Sequence, residues 1–424
     1  MVADAPGALI ELCGVSLLER LRRVARQIGF AEATVFSNSA DAIRQHLAGQ
    51  SWRKQEVMLT VMASPGPQTS ARDILTSFPP SQPAPHRVLL VRADFYYDER
   101  LLRALAEAKT DSVMADSNPP PEMASLWEKS GSYSFGRLAG AALVSSEWLS
   151  REGQSGDLMT AIATAAADGR LALIDAARQP GYIRSMRRDL RPLVFPAPSG
   201  EGLVLAERRL LDATQKGALD FPALIHAPIE KFLASRLCRT PLTPNQLTLA
   251  TATLGLGVTA LYATGHLGAG VLVALAVGVL DGVDGKLARL KVQTTKLGKG
   301  EHILDYFVEL SWWTALASHF RVTGEVPSAL ALLFLLFASD IFDRLARALV
   351  EPRLRRSLDD IASFDRVVRY VGGRRNIYTW LFACFLLLGM PARGFTVFCW
   401  WGAATAAVHV LRALQIRFSR SFPR

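Results

Sequence analysis

Five carboxylates in the second half of the chain have the types and spacing of a cation site: Asp281, Asp284, Glu301, Asp305 and Glu309. Asp281 and Asp284 are one helical turn apart, so they project from the same face of a helix. Glu301, Asp305 and Glu309 recur at every fourth residue and make a second acidic face. Two such faces on neighbouring helices offer hard oxygen ligands to a divalent cation, Mg²⁺ or Mn²⁺. Gly282 and Gly285 interleave the first pair and remove side chains where a ligand or a helix approaches closely. A second reading stays open, in which these carboxylates form structural ion pairs with Arg289 and the nearby lysines.

The elements that carry them are apolar. A membrane-spanning helix needs about 20 largely apolar residues, and six runs qualify as candidates: 245–264, 267–288, 302–319, 326–345, 377–391 and 394–414. Asp281, Asp284, Asp305 and Glu309 each fall in or at the end of one of them, where carboxylates are costly and face a cavity, a partner or an ion. The connections near Gly265–Leu267, His319–Val326 and Met390–Gly394 are short and almost free of positive charge. The others carry Arg236 and Arg239, then Lys286, Arg289, Lys291, Lys296 and Lys299, then a dense basic set from Arg344 to Arg375. Positive charge marks the cytosolic side. The pattern therefore predicts a multi-pass protein of the cytoplasmic (inner) membrane with both termini in the cytosol, rather than the buried helices of a large soluble protein.

Composition divides the chain at about Pro241. Half of the 424 residues are apolar and a fifth are charged, but the first half reads as soluble and the second as membrane. The net charge of +10 clusters at the ends of apolar runs, which suits anionic lipid headgroups and argues against nucleic acid as the partner. Cys13, Cys238, Cys384 and Cys399 show neither C-x-x-C spacing nor a paired framework, so no disulfide and no zinc site are expected. No basic segment followed by an apolar one opens the chain, so no signal peptide is expected either.

The run Asp281–Arg289, DGVDGKLAR, resembles the signature of the CDP-alcohol phosphotransferases: two aspartates three apart, a glycine, two residues, then Ala-Arg, with a further glycine matched by Gly298. Pro244-Asn245-Gln246-Leu247-Thr248 resembles that family's entry to its first membrane helix, and the likeness extends over about residues 205–415. The resemblance implies an enzyme in which metal ions on the aspartates bind the diphosphate of a CDP-linked donor. An acidic side chain of the next helix serves as general base on an alcohol acceptor, and CMP departs. It also implies CDP contacts at Asn245, Thr248, Gly285, Ala288 and Arg289, membrane lipids as surroundings, and a homodimer.

In one respect the chain departs from the signature. The positions expected to hold the third and fourth aspartates carry His302 and Tyr306. Either one residue is missing from the loop, with Glu301 and Asp305 taking the roles, or three have been added, with Asp305 and Glu309 taking them. Leu304-Asp305 matches the usual apolar-Asp pair, so the second alignment is preferred: Asp281, Asp284, Asp305 and Glu309 as metal ligands with Glu301 nearby, and Glu309 as the base. His302 is an alternative base or ligand. Gly372-Gly373-Arg374-Arg375-Asn376, with Arg344, Arg347 and Arg366, suggests a cytosolic pocket for an acceptor phosphate at Arg344, Arg374 and Arg375. Simple anchoring at the lipid surface explains the same residues equally well.

Residues 8–190 alternate apolar strands with amphipathic helices: Ser16–Ile28 as a helix, and Ala33–Ser37, Val57–Met62 and Arg87–Ala93 as strands. Alternation predicts a doubly wound parallel sheet. Cys13–Phe30 and Arg87–Leu102 resemble parts of the sugar-phosphate nucleotidyltransferases, with Asp94 in place of their metal-binding aspartate. The Gly-rich phosphate loop of that family is missing after Ala8–Leu12, so a nucleotidyltransferase-like but inactive domain is expected. Ser64–Pro85 reads as a surface excursion. The expected organisation is an α/β domain over 1–200, an amphipathic helical connector over 201–240 lying on the membrane surface, and a six-helix transmembrane transferase domain over 241–424. This pairing resembles the fused cytidylyltransferase and di-inositol-phosphate-phosphate synthase proteins, which points to a phosphorylated polyol such as inositol phosphate among the substrates.

Overall fold

The computed structural model describes residues 1–4, 6–48, 57–64, 66, 69–78, 86–128, 130–152, 157–293, 296–354 and 356–418, side chains excepted at 152, 296–302 and 353. The chain forms two compact units, one of residues 1–181 and 190–212, the other of residues 182–189 and 213–424. The division thus falls elsewhere than at 200 and 240.

In the first unit, helix α1 (Leu17–Gln27) starts where Ser16 accepts a hydrogen bond from the Glu19 amide at 3.3 Å, and it buries Leu17, Leu18, Leu21 and Val24. The unit's strands of four residues or more are β1 (Glu32–Ser37), β2 (Met58–Ala63), β3 (Arg87–Val91), β4 (Ser112–Asp116), β5 (Gly136–Ser145) and β6 (Ala172–Asp175). β1 and β2 pair in parallel, and so do β4 and β6. β5, however, lies between β3 and β4 and runs antiparallel to both. The sheet that holds β3 to β6 is therefore mixed, and β1 with β2 forms a separate two-stranded sheet, correcting the expected single all-parallel arrangement. The alternation that separates strands from helices carries no information about the direction in which an inserted strand runs. Val2 bridges Phe36 and Arg92, both in parallel.

The connector region holds two helices, α2 (Glu201–Ala213) and α3 (Ala223–Leu237). α2 belongs to the first unit. Its Glu207 accepts from the Cys13 amide at 2.8 Å and its Arg209 pairs with Glu122 at 3.0 Å.

The second unit is helical: α4 (Pro244–Ala263), α5 (Leu267–Leu290), α6 (Lys296–Val322), α7 (Ala329–Val350), α8 (Ser363–Val371), α9 (Arg375–Leu387) and α10 (Pro391–Phe418). α4 opens on a capping box between Thr243 and Gln246, with Pro244 at its first position. Helices stand at all six expected spans, but only α4, α5 and α10 among the described residues are long and apolar enough to cross a membrane by length and composition. α9 has 13 residues, which rise only about 20 Å against a hydrocarbon core of about 30 Å. α7 carries Asp340, Asp343, Arg344 and Arg347 in its second half. The core is aromatic-rich, with Trp312, Trp313, Phe320, Phe382, Phe395 and Phe398 buried around Tyr262. A short hairpin, β7 (Tyr182–Ile183) with β8 (Arg188–Asp189), also belongs to this unit.

Candidate active site

α4 and α6 approach closely because Gly255 has no side chain. A Cβ there would stand 2.5 Å from Val308 Cγ1, inside any tolerable contact. The Trp312 indole donates to the Gly255 carbonyl at 2.8 Å, which locks the register of α6 and so the height of its acidic face.

On α5, Asp284 is buried, with its Oδ2 3.1 Å from the Thr248 hydroxyl of α4. Asp281, one turn away and more open, accepts from Arg375 Nη2 at 2.6 Å. Arg375 begins α9 and also faces Glu309 and Asp305 electrostatically, so one guanidinium joins the two acidic faces. Glu309 accepts from the Trp313 indole at 3.3 Å. Asp305 is half-buried. The side chains of Glu301 and His302 lie outside the described residues. Asn245 sits in the first turn of α4, and the Arg289 guanidinium folds back beside Gly285, 3.6 Å from where a Cβ would be. Ala288 stands on the same helix, half-buried.

The donor chemistry suits a hard divalent ion, since three carboxylates from two helices, Asp281, Asp305 and Glu309, face one guanidinium while Asp284 lies one turn from the first. Among the described residues, however, no three of these groups come close enough together to hold one ion. Arg375 supplies the positive charge there instead.

Beside Glu309 lies a cavity of about 930 Å³. Arg344, Arg374 and Arg375, the three expected acceptor-phosphate residues, all line it, as does Arg347. Arg366 pairs with Asp360 at 2.6 Å and is not among the lining residues. Arg344 is held by Asp340 at 2.8 Å and lies 4.3 Å over the Tyr306 ring. Asp359 is buried and accepts from Arg347 at 2.8 Å, Arg374 at 3.1 Å and Arg369 at 3.4 Å. Burial alone would raise its pKa, but Arg374, Arg347 and Arg369 outweigh that and hold the carboxyl below the usual range. Burial and the neighbouring Arg369 bring Arg374 down to about 10, against the pull of Asp359. The group is thus an arginine-lined wall set by one buried carboxylate.

Several contributors escape a reading of the sequence. Glu230 of α3 fills the space left by Gly282, where a Cβ would meet its Cδ at 2.2 Å, and it pairs with Lys286 at 2.9 Å. Lys286 and Lys291, expected among the lipid-facing cations, are both buried. Lys286 also donates to Gln215 at 2.6 Å, and Lys291 donates to the Thr240 and Leu242 carbonyls at 2.7 Å each. Only the run of cations after Asp284 signalled them, and a run cannot tell a pinned lysine from a solvated one.

Residues 241–408 match the family model described as CDP-alcohol phosphatidyltransferase. The chain is 32% identical over 151 residues to a "Bifunctional IPC transferase and DIPP synthase" of Aquifex aeolicus, covering 35% of this chain and 33% of the relative. It is 33% identical over 141 residues to a protein of the same name from Thermococcus kodakarensis, covering 32% of each. The chain spans about a third of the length of these curated relatives.

Proposed function

We propose that this chain is a membrane-embedded, metal-dependent transferase that moves a substituted phosphate group from a CDP-linked donor to an alcohol hydroxyl and releases CMP. The observation that carries the reading is the Asp281–Arg289 run on α5, set against Asp305 and Glu309 of α6 beside an arginine-lined cavity. Asp281, Asp284, Asp305 and Glu309, with Glu301 as a further ligand, are the residues that would hold Mg²⁺ or Mn²⁺. When bound, such an ion offsets charge on the donor diphosphate and polarises its phosphorus.

The chain's own residues do the rest. Thr248 orients Asp284, and Asn245, Gly285, Ala288 and Arg289 line the approach to the cytidine diphosphate. Glu309 accepts the proton of the acceptor hydroxyl. That oxygen bonds to the donor phosphorus as the bond from phosphorus to the CMP oxygen breaks, and CMP leaves with the electron pair. Arg344, Arg374 and Arg375 bind a phosphate on the acceptor in the forked geometry that guanidinium favours. The likeness to fused synthases favours a phosphorylated polyol such as inositol phosphate.

Membrane embedding over six helices, with both termini cytosolic, is supported by apolar side chains turned outward. Examples are Ile303, Leu304 and Phe307 on α6 and Phe334, Ile341 and Phe342 on α7. α3 likewise exposes Leu224, Ile225, Ile229 and Phe232, the edge an interfacial helix presents to lipid. A homodimer in the membrane completes the reading.

CMP release by the full chain in nanodiscs with Mg²⁺ tests it. The donors are CDP-diacylglycerol and CDP-inositol, each offered with inositol phosphate, inositol and glycerol phosphate. Release is expected to need donor, acceptor and metal, and to vanish in Asp284→Asn. A folded protein that releases no CMP with any pair and binds no cytidine nucleotide would instead be a membrane scaffold built on a degenerate transferase fold.

A second reading, in which the chain also makes its own CDP-linked donor, is favoured by the word "bifunctional" in the names of both relatives. Against it, Asp94 at the end of β3 is clamped by Arg92 through two hydrogen bonds, of 2.9 and 2.6 Å.

A further inference from the structure

The hairpin 182–189 precedes the segment matched by the family, yet it forms part of the wall of the arginine-lined cavity, through Arg184, Ser185 and Arg187. Its placement is over-determined. The Ser357 amide donates to the Tyr182 hydroxyl at 3.3 Å, and Arg356 pairs with Asp189 at 3.1 Å while lying 4.5 Å over the Tyr182 ring. The Gly217 amide donates to the Met186 carbonyl at 2.8 Å, and a Cβ on Gly217 would stand 2.3 Å from the Arg187 carbonyl. These contacts fasten the turn from both sides.

At the tip, Arg187 adopts φ 49° and ψ 43°, the left-handed region that side chains other than those of glycine and asparagine rarely occupy. An arginine is among the less suitable residues for that backbone, so the side chain has to be worth the strain.

What distinguishes Arg187 is the state of its guanidinium. Six arginines line the cavity. Arg184 is paired with Glu351, Arg344 with Asp340, Arg347 with Asp343 and Asp359, Arg374 with Asp359, and Arg375 with Asp281. The Arg187 guanidinium, among the described residues, makes no hydrogen bond or ion pair, and its Nε is buried without a partner. Asp359 and Asp220 attract it only at a distance, while Arg374 and Arg347 repel it. A half-buried arginine whose Nε is enclosed without a partner, in a cavity lined by five further arginines, suits an anion.

We propose that Arg187 is a specificity-determining residue that binds the phosphate monoester of the acceptor, so that a turn outside the transferase domain selects phosphorylated over unphosphorylated alcohols. This rests on the reading of the cavity as the acceptor site. The planar fork suits the paired oxygens of a phosphate, and its distance in sequence from the acidic helices separates selection from chemistry.

The test compares Arg187→Gly and Arg187→Lys with the parent in nanodiscs. In CMP release, the ratio of kcat/KM for inositol phosphate over inositol is expected to fall by about ten- to a hundredfold in Arg187→Gly. Its thermal midpoint should hold or rise, because glycine suits the left-handed turn. Arg187→Lys keeps the charge without the fork and is expected to fall between the two. An unchanged ratio in a folded variant, or equal losses for both acceptors, overturns the inference.

Calorimetric binding of inositol phosphate without donor separates the inference from the reading beneath it. Loss of that binding in Arg187→Gly, in a parent that releases no CMP, supports the anion site while removing the transferase. If the variant instead loses only its response to anionic phosphatidylglycerol in the nanodisc, with soluble inositol phosphate bound as before, the anion is a lipid headgroup and the acceptor assignment fails.

Discussion

Arg375 holds Asp281 at 2.6 Å while facing Glu309 and Asp305, so a single side chain serves both acidic faces. Carboxylates among apolar helices need a compensating cation, and an arginine supplies it until a substrate or an ion does. Glu309 is then the carboxylate best placed for acceptor chemistry, because among the described residues it alone of the acidic candidates lines the cavity that also holds Arg344, Arg374 and Arg375. Replacing it by glutamine is expected to lower kcat by about 10²–10⁴-fold while donor binding survives, with Glu309→Asp falling between. Single-turnover CMP release with a parallel measurement of donor affinity checks this. An unchanged kcat in Glu309→Gln would return the role of base to Asp305 or His302.

Among the elements, α4 and α6 have the tightest dependence on one residue. Gly255 lets Val308 within reach and gives its carbonyl to Trp312, one helical turn from Glu309. Gly255→Leu is expected to cost about 1–3 kcal/mol through overpacking, which exceeds the roughly 1 kcal/mol a helix interior gains on losing a glycine. The thermal midpoint in detergent should drop by several degrees, with CMP release falling in step. Adding Val308→Ala should recover much of both, since the two changes share one contact. A double variant no better than the single would place the cost elsewhere in α4. α5 is pinned in another way, by Glu230 against Gly282 and by two buried lysines whose ammonium groups close on carbonyls and carboxylate.

At the scale of the molecule, the two compact units interchange short pieces of chain: the hairpin 182–189 goes with the helices, and residues 190–212 go with the sheet. In the first unit the carboxylate beyond the end of β3, Asp94, is held by Arg92. Incubation of the full chain with CTP, Mg²⁺ and inositol phosphate is accordingly expected to release no pyrophosphate. CTP-dependent release above the background of an Asp94→Asn variant would establish the bifunctional reading.

The amino-acid sequence alone determined where the helices of the second unit lie, because apolar runs and their flanking charges are local properties. It also determined the two acidic faces, because Asp281 with Asp284, and Asp305 with Glu309, are each related by helical spacing. What the tertiary structure decided is which charges are spent inside and which are left over. Lys286 and Lys291 read as surface cations until packing buries them against specific acceptors. β5 reads as one more strand, and only pairing decides that it runs against both neighbours. The hairpin at Arg187 is built from strands of two residues each, too short to leave a periodic signal. Its unpaired guanidinium exists only because residues distant in the chain are already committed to one another.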